Sequence, residues 1–150
     1  MVLCVLLSAC NEPDMNPSSP DAEIRAAILT TLNAETAAAF ERDYDRWTTH
    51  WVQEPYVTKT YLQFPDSTCA ETVGWEAVSA FVREYIEAHP EPEPLPEPIT
   101  DITIREYGRG AWVDYEQQYA DGSYKRESRL MELVEGEWKI ASMWTRVYGL

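Results

Sequence analysis

Residues 122–148 read GSYKRESRLMELVEGEWKIASMWTRVY, and the alternation in this stretch decides the fold. Glu135-Gly136 divides it into two runs with apolar residues at alternate positions, the pattern of two antiparallel strands joined by a tight turn. A two-residue turn pairs Leu133 with Trp138, Met131 with Ile140, Arg129 with Ser142 and Glu127 with Trp144. These residues share one face, because strand side chains alternate with period two. The other face then carries Glu132 beside Lys139, Leu130 beside Ala141 and Ser128 beside Met143. A three-residue loop would set Glu132 against Trp138, so the two-residue register is expected.

A further strand precedes this hairpin. Ala111–Tyr119 alternates, and Asp121-Gly122 is a strong tight-turn pair. Pairing across it sets Asp114 opposite Arg129, Trp112 opposite Met131 and Glu116 opposite Glu127. One face of the three strands is then apolar at one end (Trp112, Met131, Leu133, Trp138, Ile140). At the other it gathers Asp114, Glu116, Glu127, Arg129, Ser142, Trp144 and Arg146. Such a face either walls a covered pocket or meets water at its polar end.

Ahead of the sheet the chain is helical. Ser19-Pro20-Asp21 is a helix start, with a capping hydroxyl, a proline suited to the first turn and acidic residues at the positive end. Ile24, Ala27, Ile28, Thr31, Leu32, Glu35 and Ala39 form a mostly apolar stripe to about Phe40. A second helix, Asp43 to about Trp51, places Tyr44, Trp47 and Trp51 on one face. Tyr56–Phe64 reads as a strand and Pro65-Asp66-Ser67-Thr68 as a loop. A third helix, Gly74–Ala88, is expected to bury Val78, Phe81, Val82, Tyr85 and Ile86. Residues 89–98, HPEPEPLPEP, carry five prolines, which forbid helix and sheet and favour an extended acidic loop. Ile99–Arg105 resumes as a strand.

The chain's 150 residues suit one domain, and six Trp and nine Tyr within a 45% hydrophobic composition can supply its core. The uncharged opening MVLCVLLSA, residues 1–9, leads to Leu7-Ser8-Ala9-Cys10. That motif resembles a bacterial lipoprotein signal, which implies lipidation of Cys10, a polar tether over residues 10–19 and a domain over 20–150. The expected address is the bacterial cell envelope, with the membrane engaged through the lipid on Cys10. The run lacks a basic start and a long apolar stretch, so a start upstream of Met1 is expected if the signal is real. It is too short to span a membrane, so the chain would be anchored. Beyond Cys4 and Cys10 only Cys69 remains, which excludes an internal disulfide in the mature domain. A net charge of -14 argues against nucleic acid as a partner.

Helices followed by a mostly antiparallel sheet define an α+β domain. The spread Ala39-Phe40-x-x-Asp43, Gly74-Trp75-x-Ala77-Val78, Ala111-Trp112-Val113, Glu127-Ser128-Arg129-Leu130 and Gly136-x-Trp138-Lys139-Ile140 resembles the SnoaL-like branch of the nuclear transport factor 2-like superfamily, over residues 21–148. The resemblance implies a cone-shaped domain: a curved sheet wrapped over three helices, with a cavity at the wide end and dimers formed through the sheet. Its members include isomerases, cyclases, dehydratases, hydrolases and binding domains, so the fold does not settle the function.

Tyr44, Trp47, Trp51, Trp75 and Tyr85 from the helices, with Arg129, Ser142 and Trp144 from the sheet, are the candidate ligand-binding residues. Asp114, Glu116 and Glu127 are the candidate acid-base residues. Two carboxylates face to face in a shielded site cannot both ionise cheaply, so one pKa should rise, as general acid-base chemistry requires. His50, beside Trp51, points either into the cavity or into the packing around it. No cluster has metal-ligand spacing, and no phosphate loop or nucleophile elbow is present, so neither metal nor cofactor is expected. The first reading is a cavity binding a small, partly apolar ligand without turnover. The second is an isomerase, dehydratase or hydrolase using Asp114, Glu116 or Glu127. A third is a dimer through the Leu130/Met143 face with a collapsed cavity.

Overall fold

The computed structural model describes residues 20–63, 68–118, 122 and 124–148. The expected signal, Cys10, the tether and most of the Pro65–Thr68 loop lie outside the described residues. Helix α1 (Pro20–Phe40) is followed by α2 (Tyr44–Thr49), β1 (Thr58–Gln63), β2 (Thr68–Val73), α3 (Trp75–Ala88), β3 (Thr103–Tyr107), β4 (Gly110–Gln118), β5 (Tyr124–Val134) and β6 (Glu137–Tyr148). The six strands form one curved sheet in the order β2-β1-β6-β5-β4-β3, antiparallel except where β1 runs parallel to β6. The α+β expectation holds.

The helices cover the concave face. Helix α1 buries Ile28 and Leu32 of its stripe, and Ala38 beside it, completely, and α3 buries Val78 and Val82. Asp43 caps α2, its carboxylate accepting from the Arg46 amide at 3.0 Å. After α2 the chain pairs with the start of β6: the Val52 amide donates to the Ile140 carbonyl and the Ile140 amide to the His50 carbonyl, each at 2.9 Å. Residues 89–98 form no helix or strand, as five prolines demand, and run back along α1. The Glu93 amide donates to the Phe40 carbonyl (2.9 Å), Arg42 pairs with Glu93, and the Asn33 amide group brackets Ile99 with bonds of 2.8 and 2.9 Å.

Several expectations need correction: β3 begins at Thr103 rather than Ile99, and Phe81 and Tyr85 of α3 are exposed. The stretch Thr68–Val73 is a strand; it lies at the sheet edge, almost wholly exposed, and so lacks the alternation that marks a half-buried strand. Across β4 and β5 the register differs by one: Asp114 faces Ser128, Tyr115 faces Glu127, Glu116 faces Arg126 and Val113 faces Arg129. A slip of one residue exchanges the two faces of a strand. Here it turns Ala111, Val113 and Tyr115 inward and leaves Trp112, Asp114 and Glu116 outward, which avoids burying two carboxylates. Between β5 and β6 the expected pairs Leu133/Trp138 and Met131/Ile140 are present, but beyond them Leu130 pairs with Ser142. Ala141 is the extra residue of a β-bulge. Past it, Met143 and Thr145 turn inward, while Ser142, Trp144 and Arg146 face out. The expected Leu130/Met143 surface is therefore divided, with Met143 buried and Leu130 on the outer face.

The turn Glu135-Gly136 has both residues in the left-handed region, φ 52° and 87°, the type I′ geometry that favours Asn-Gly. Glu135→Asn should therefore raise the unfolding free energy by roughly 0.5 kcal/mol, and Gly136→Val should lower it by about 1–2 kcal/mol. Equilibrium urea unfolding of the two variants measures both.

Candidate functional site

The bulge and the register together bring one set of polar side chains to the concave face. From β5 come Glu127 and Arg129, from β4 Tyr115 and from β6 Thr145, all buried. The Arg129 guanidinium meets Glu127 Oε2 through Nη2 (2.5 Å) and Nε (3.1 Å), and Nε also donates to the Tyr115 hydroxyl (3.2 Å). Tyr115 in turn donates to Glu127 Oε2 at 2.6 Å, and Thr145 to Glu127 Oε1 at 3.2 Å. Glu35 of α1 closes the group. Its Oε2 lies 3.7 Å from Arg129 Nη2, and its Oε1 accepts from the indoles of Trp47 (2.7 Å) and Trp51 (3.2 Å).

An aromatic wall stands beside this network. Trp47 stacks on Trp75 at 5.9 Å and packs on Trp51 at 5.2 Å, with Tyr44 at 6.1 Å on its other side. Lys59 of β1 reaches in from the sheet, its ammonium 5.2–5.7 Å from the ring centres of Trp47, Trp51 and Tyr61. Its hydrogen bond goes to the Met143 sulfur at 3.0 Å.

Burial works against every charge here, and the pairing decides the outcome. For Glu127 burial favours the neutral acid, but the Arg129 guanidinium and the Tyr115 hydroxyl outweigh it and hold the carboxyl below its ordinary 4.5. Arg129 is held well above its ordinary value by Glu127, against the pull of burial. Burial raises the Tyr115 phenol, with Glu127 adding to the effect. Lys125, on the same face two residues from Glu127, is pushed down by burial and by the neighbouring charges of Lys59 and Arg129.

Of the residues expected to line the site, Trp47, Trp51 and Arg129 are inside it, and Tyr44 and Trp75 flank them. Glu127 is inside too, but its partner is Arg129. Glu116 is on the other side of the sheet, so the expected carboxylate pair does not form. Asp114 also faces out, accepting from Ser128 (2.6 Å) and from the Trp112 indole (2.9 Å). With Asp101, Thr103 and Arg126, Asp114 and Glu116 line an outer groove of about 310 Å³. Ser142 shares a hydrogen bond of 2.6 Å with Thr58 on the outer face, and Trp144 is 40% exposed there. Tyr85 is exposed, stacked on His89 at 4.6 Å beneath the Arg42 guanidinium. His50 lines a separate groove of about 650 Å³ between α1 and the start of β6, and burial lowers its pKa. Among the described residues no group of His, Cys, Asp and Glu is arranged to hold a metal, and no helix is long and apolar enough to cross a membrane.

Sequence reasoning missed Glu35, Lys59, Tyr115 and Thr145 as parts of the site. Glu35 was visible as a carboxylate inside the apolar α1 stripe; Tyr115 and Thr145 depend on a register and a bulge that alternation alone does not reveal.

The comparisons agree with this architecture. The family profile described as SnoaL-like domain matches residues 28–144. No curated protein matches the chain. Among solved structures, an NTF2-like protein of unknown function from Silicibacter pomeroyi is 16% identical with a TM-score of 0.61, covering 87% of this chain and 100% of its own. A cystatin-like fold protein from Burkholderia xenovorans is 18% identical with a TM-score of 0.62, covering 87% and 95%. An NTF2-like protein of unknown function from Pseudomonas putida is 11% identical with a TM-score of 0.63, covering 83% and 86%.

Removing the central cation should be severe. Arg129→Met leaves two buried carboxylates without their partner and should lower stability by about 3–5 kcal/mol, read by urea unfolding. The acid limb has a definite sign. Because the Glu127 pKa is depressed on folding, its contribution is full above the unfolded value near 4.5 and is lost as pH falls through the lower folded value. Glu127→Gln should therefore flatten the dependence of stability on pH below 4.5.

Proposed function

This chain belongs to the SnoaL-like domain family, and we propose that it holds a small, partly apolar molecule against the concave face of its sheet, without turnover. The observation that carries this reading is the pairing of two unlike walls. Trp47, Trp51 and Trp75 make a packed aromatic cluster in the interior, and Glu35 joins it to the buried polar groups around Arg129. Pockets that hold small molecules combine such walls with a few convergent polar groups.

The electrostatics favour binding over acid-base chemistry. A general base works best with a pKa near the working pH, whereas Glu127 is held below the ordinary carboxylate range by Arg129. Both of its oxygens already accept hydrogen bonds. The other two candidate acid-base residues, Asp114 and Glu116, face away from this interior.

Native mass spectrometry of the gently purified full chain should detect a bound small molecule, and its release on partial denaturation should change tryptophan emission. A chain that carries nothing and whose emission responds to no small molecule in a mixed metabolite titration would overturn the proposal.

We further propose that Cys10 is lipidated and anchors the domain to a bacterial envelope membrane through the polar tether over residues 10–19. The outer sheet face, where Trp144 is exposed beside Ser128, is the surface on which a second copy would pack. Cells fed radiolabelled palmitate should label the wild-type chain and leave Cys10→Ser unlabelled; equal labelling of both would remove the anchor from the reading.

A further inference from the structure

His50 ties the end of α2 to the sheet through its backbone. Its amide donates to the Trp47 carbonyl at 3.2 Å, and its carbonyl accepts from the Ile140 amide of β6 at 2.9 Å. Trp51 bridges to Ile140 beside it, and the Val52 amide donates to the Ile140 carbonyl, also at 2.9 Å. Residues 50–52 therefore clasp β6 at one point. Within and beside that clasp stand Trp51 and Trp47, whose indoles both donate to Glu35 of α1.

The side chain of His50 is not satisfied as its backbone is. Its Nε2 is buried, and among the described residues nothing donates to it or accepts from it. A neutral ring with its proton on Nδ1 leaves Nε2 as a bare lone pair. The imidazolium carries a proton on both nitrogens, so charging the ring puts a cationic donor where no acceptor stands. A buried polar group left unpaired is costly, and a charged one more so. The surrounding charges do not lift that penalty. Burial is the largest influence and holds the ring below its ordinary 6.5. Glu35 of α1 and Glu137 of β6 pull the other way, while Arg46 of α2 and Lys139 of β6 add to burial.

Room for the charged ring lies next to it. The groove of about 650 Å³ that His50 lines is bounded by Ala27 and Ala34 of α1 and by Gly136 of the hairpin turn, all small. Glu137 lines it too, and its side chain is 76% exposed, so a cation there has both water and a carboxylate to meet.

We propose that residues 50–52 are an acid-sensitive clasp: protonation of His50 turns its ring into this groove and releases the end of α2 from β6. The device needs no ligand and stands apart from the binding reading. The open junction takes up a proton at the ordinary value and the closed one resists it. Closure is therefore favoured fully above 6.5 and weakens as pH falls through that value toward the lower one of the closed form. Glu127 responds only below 4.5, so the two acid effects are separate.

The chain has two histidines, and the other, His89, is exposed and stacked on Tyr85, so proton NMR of the full chain can follow each ring. Hydrogen exchange at the Ile140 and Val52 amides, corrected for its intrinsic pH dependence, should rise roughly three- to tenfold from about one unit above 6.5 to about one unit below it. The Leu133 amide, bonded to the Arg109 carbonyl at the far end of the hairpin, should not follow. His50→Phe keeps an aromatic ring that gains no proton and should abolish the rise, whereas His89→Gln should keep it. A rise that survives His50→Phe overturns the proposal. So does a wild-type His50 ring that titrates at or above 6.5 with no change at the two amides, a result that stands even where His50→Phe fails to fold.

Discussion

Arg129 sits where sheet and helices meet, and the packing of the domain turns on the charge it carries there. Glu127 holds it on its own strand, and Glu35 reaches it from α1 at 3.7 Å. Glu35 is also the acceptor for the indoles of Trp47 and Trp51, so one carboxylate links α1, the α2 region and β5. A buried ion pair is seldom a net source of stability, because desolvation offsets attraction. Its effect is on specificity: α1 has one axial position at which Glu35 meets both indoles and the guanidinium, and any slide strands a charge in the core. The aromatic wall owes its place to that constraint.

The same reasoning separates what was legible in the sequence from what was not. The α1 stripe, the Trp-bearing α2 segment and the Glu135-Gly136 hairpin were readable, because local polarity and turn chemistry agree there. The pairs Leu133/Trp138 and Met131/Ile140 stand as read. At the next position, Ala141 adds a residue to β6 and exchanges the faces of everything beyond it. A bulge has no compositional mark: alanine tolerates either face and breaks no alternation. The β4–β5 register failed for a related reason. Asp121-Gly122 is a strong signal for a two-residue turn, yet the observed pairs, such as Gln118 with Tyr124, are centred on position 121. Weighing the burial of Asp114 and Glu116 against that of Val113 and Tyr115 would have pointed to the other register.

These two offsets explain why the expected acid-base pair dissolved while its better half remained. Glu127 kept its inward place because both offsets leave it on the concave face, whereas Asp114, Glu116, Ser142 and Trp144 moved to the convex one. What replaced the carboxylate pair is opposite in character: a carboxylate fixed in its charged form by a guanidinium. Lys59 belongs to the same revision. The sequence does not single out Lys59, and only the parallel pairing of β1 with β6 sets it over Met143.

That parallel pairing also governs how the chain can reach its native state. Strands β3 to β6 are joined in sequence and can zip up by short-range contacts, but β1 must wait for a partner that begins more than seventy residues later, at Glu137. Closing so long a loop is slow relative to hairpin formation. On a ribosome, therefore, the amino-terminal half emerges with Trp47, Trp51 and Lys59 uncovered and cannot bury them until the final strand is synthesised. Assembly of the interior is a late, all-or-nothing event, and a nascent chain stalled before β6 is a client for chaperones.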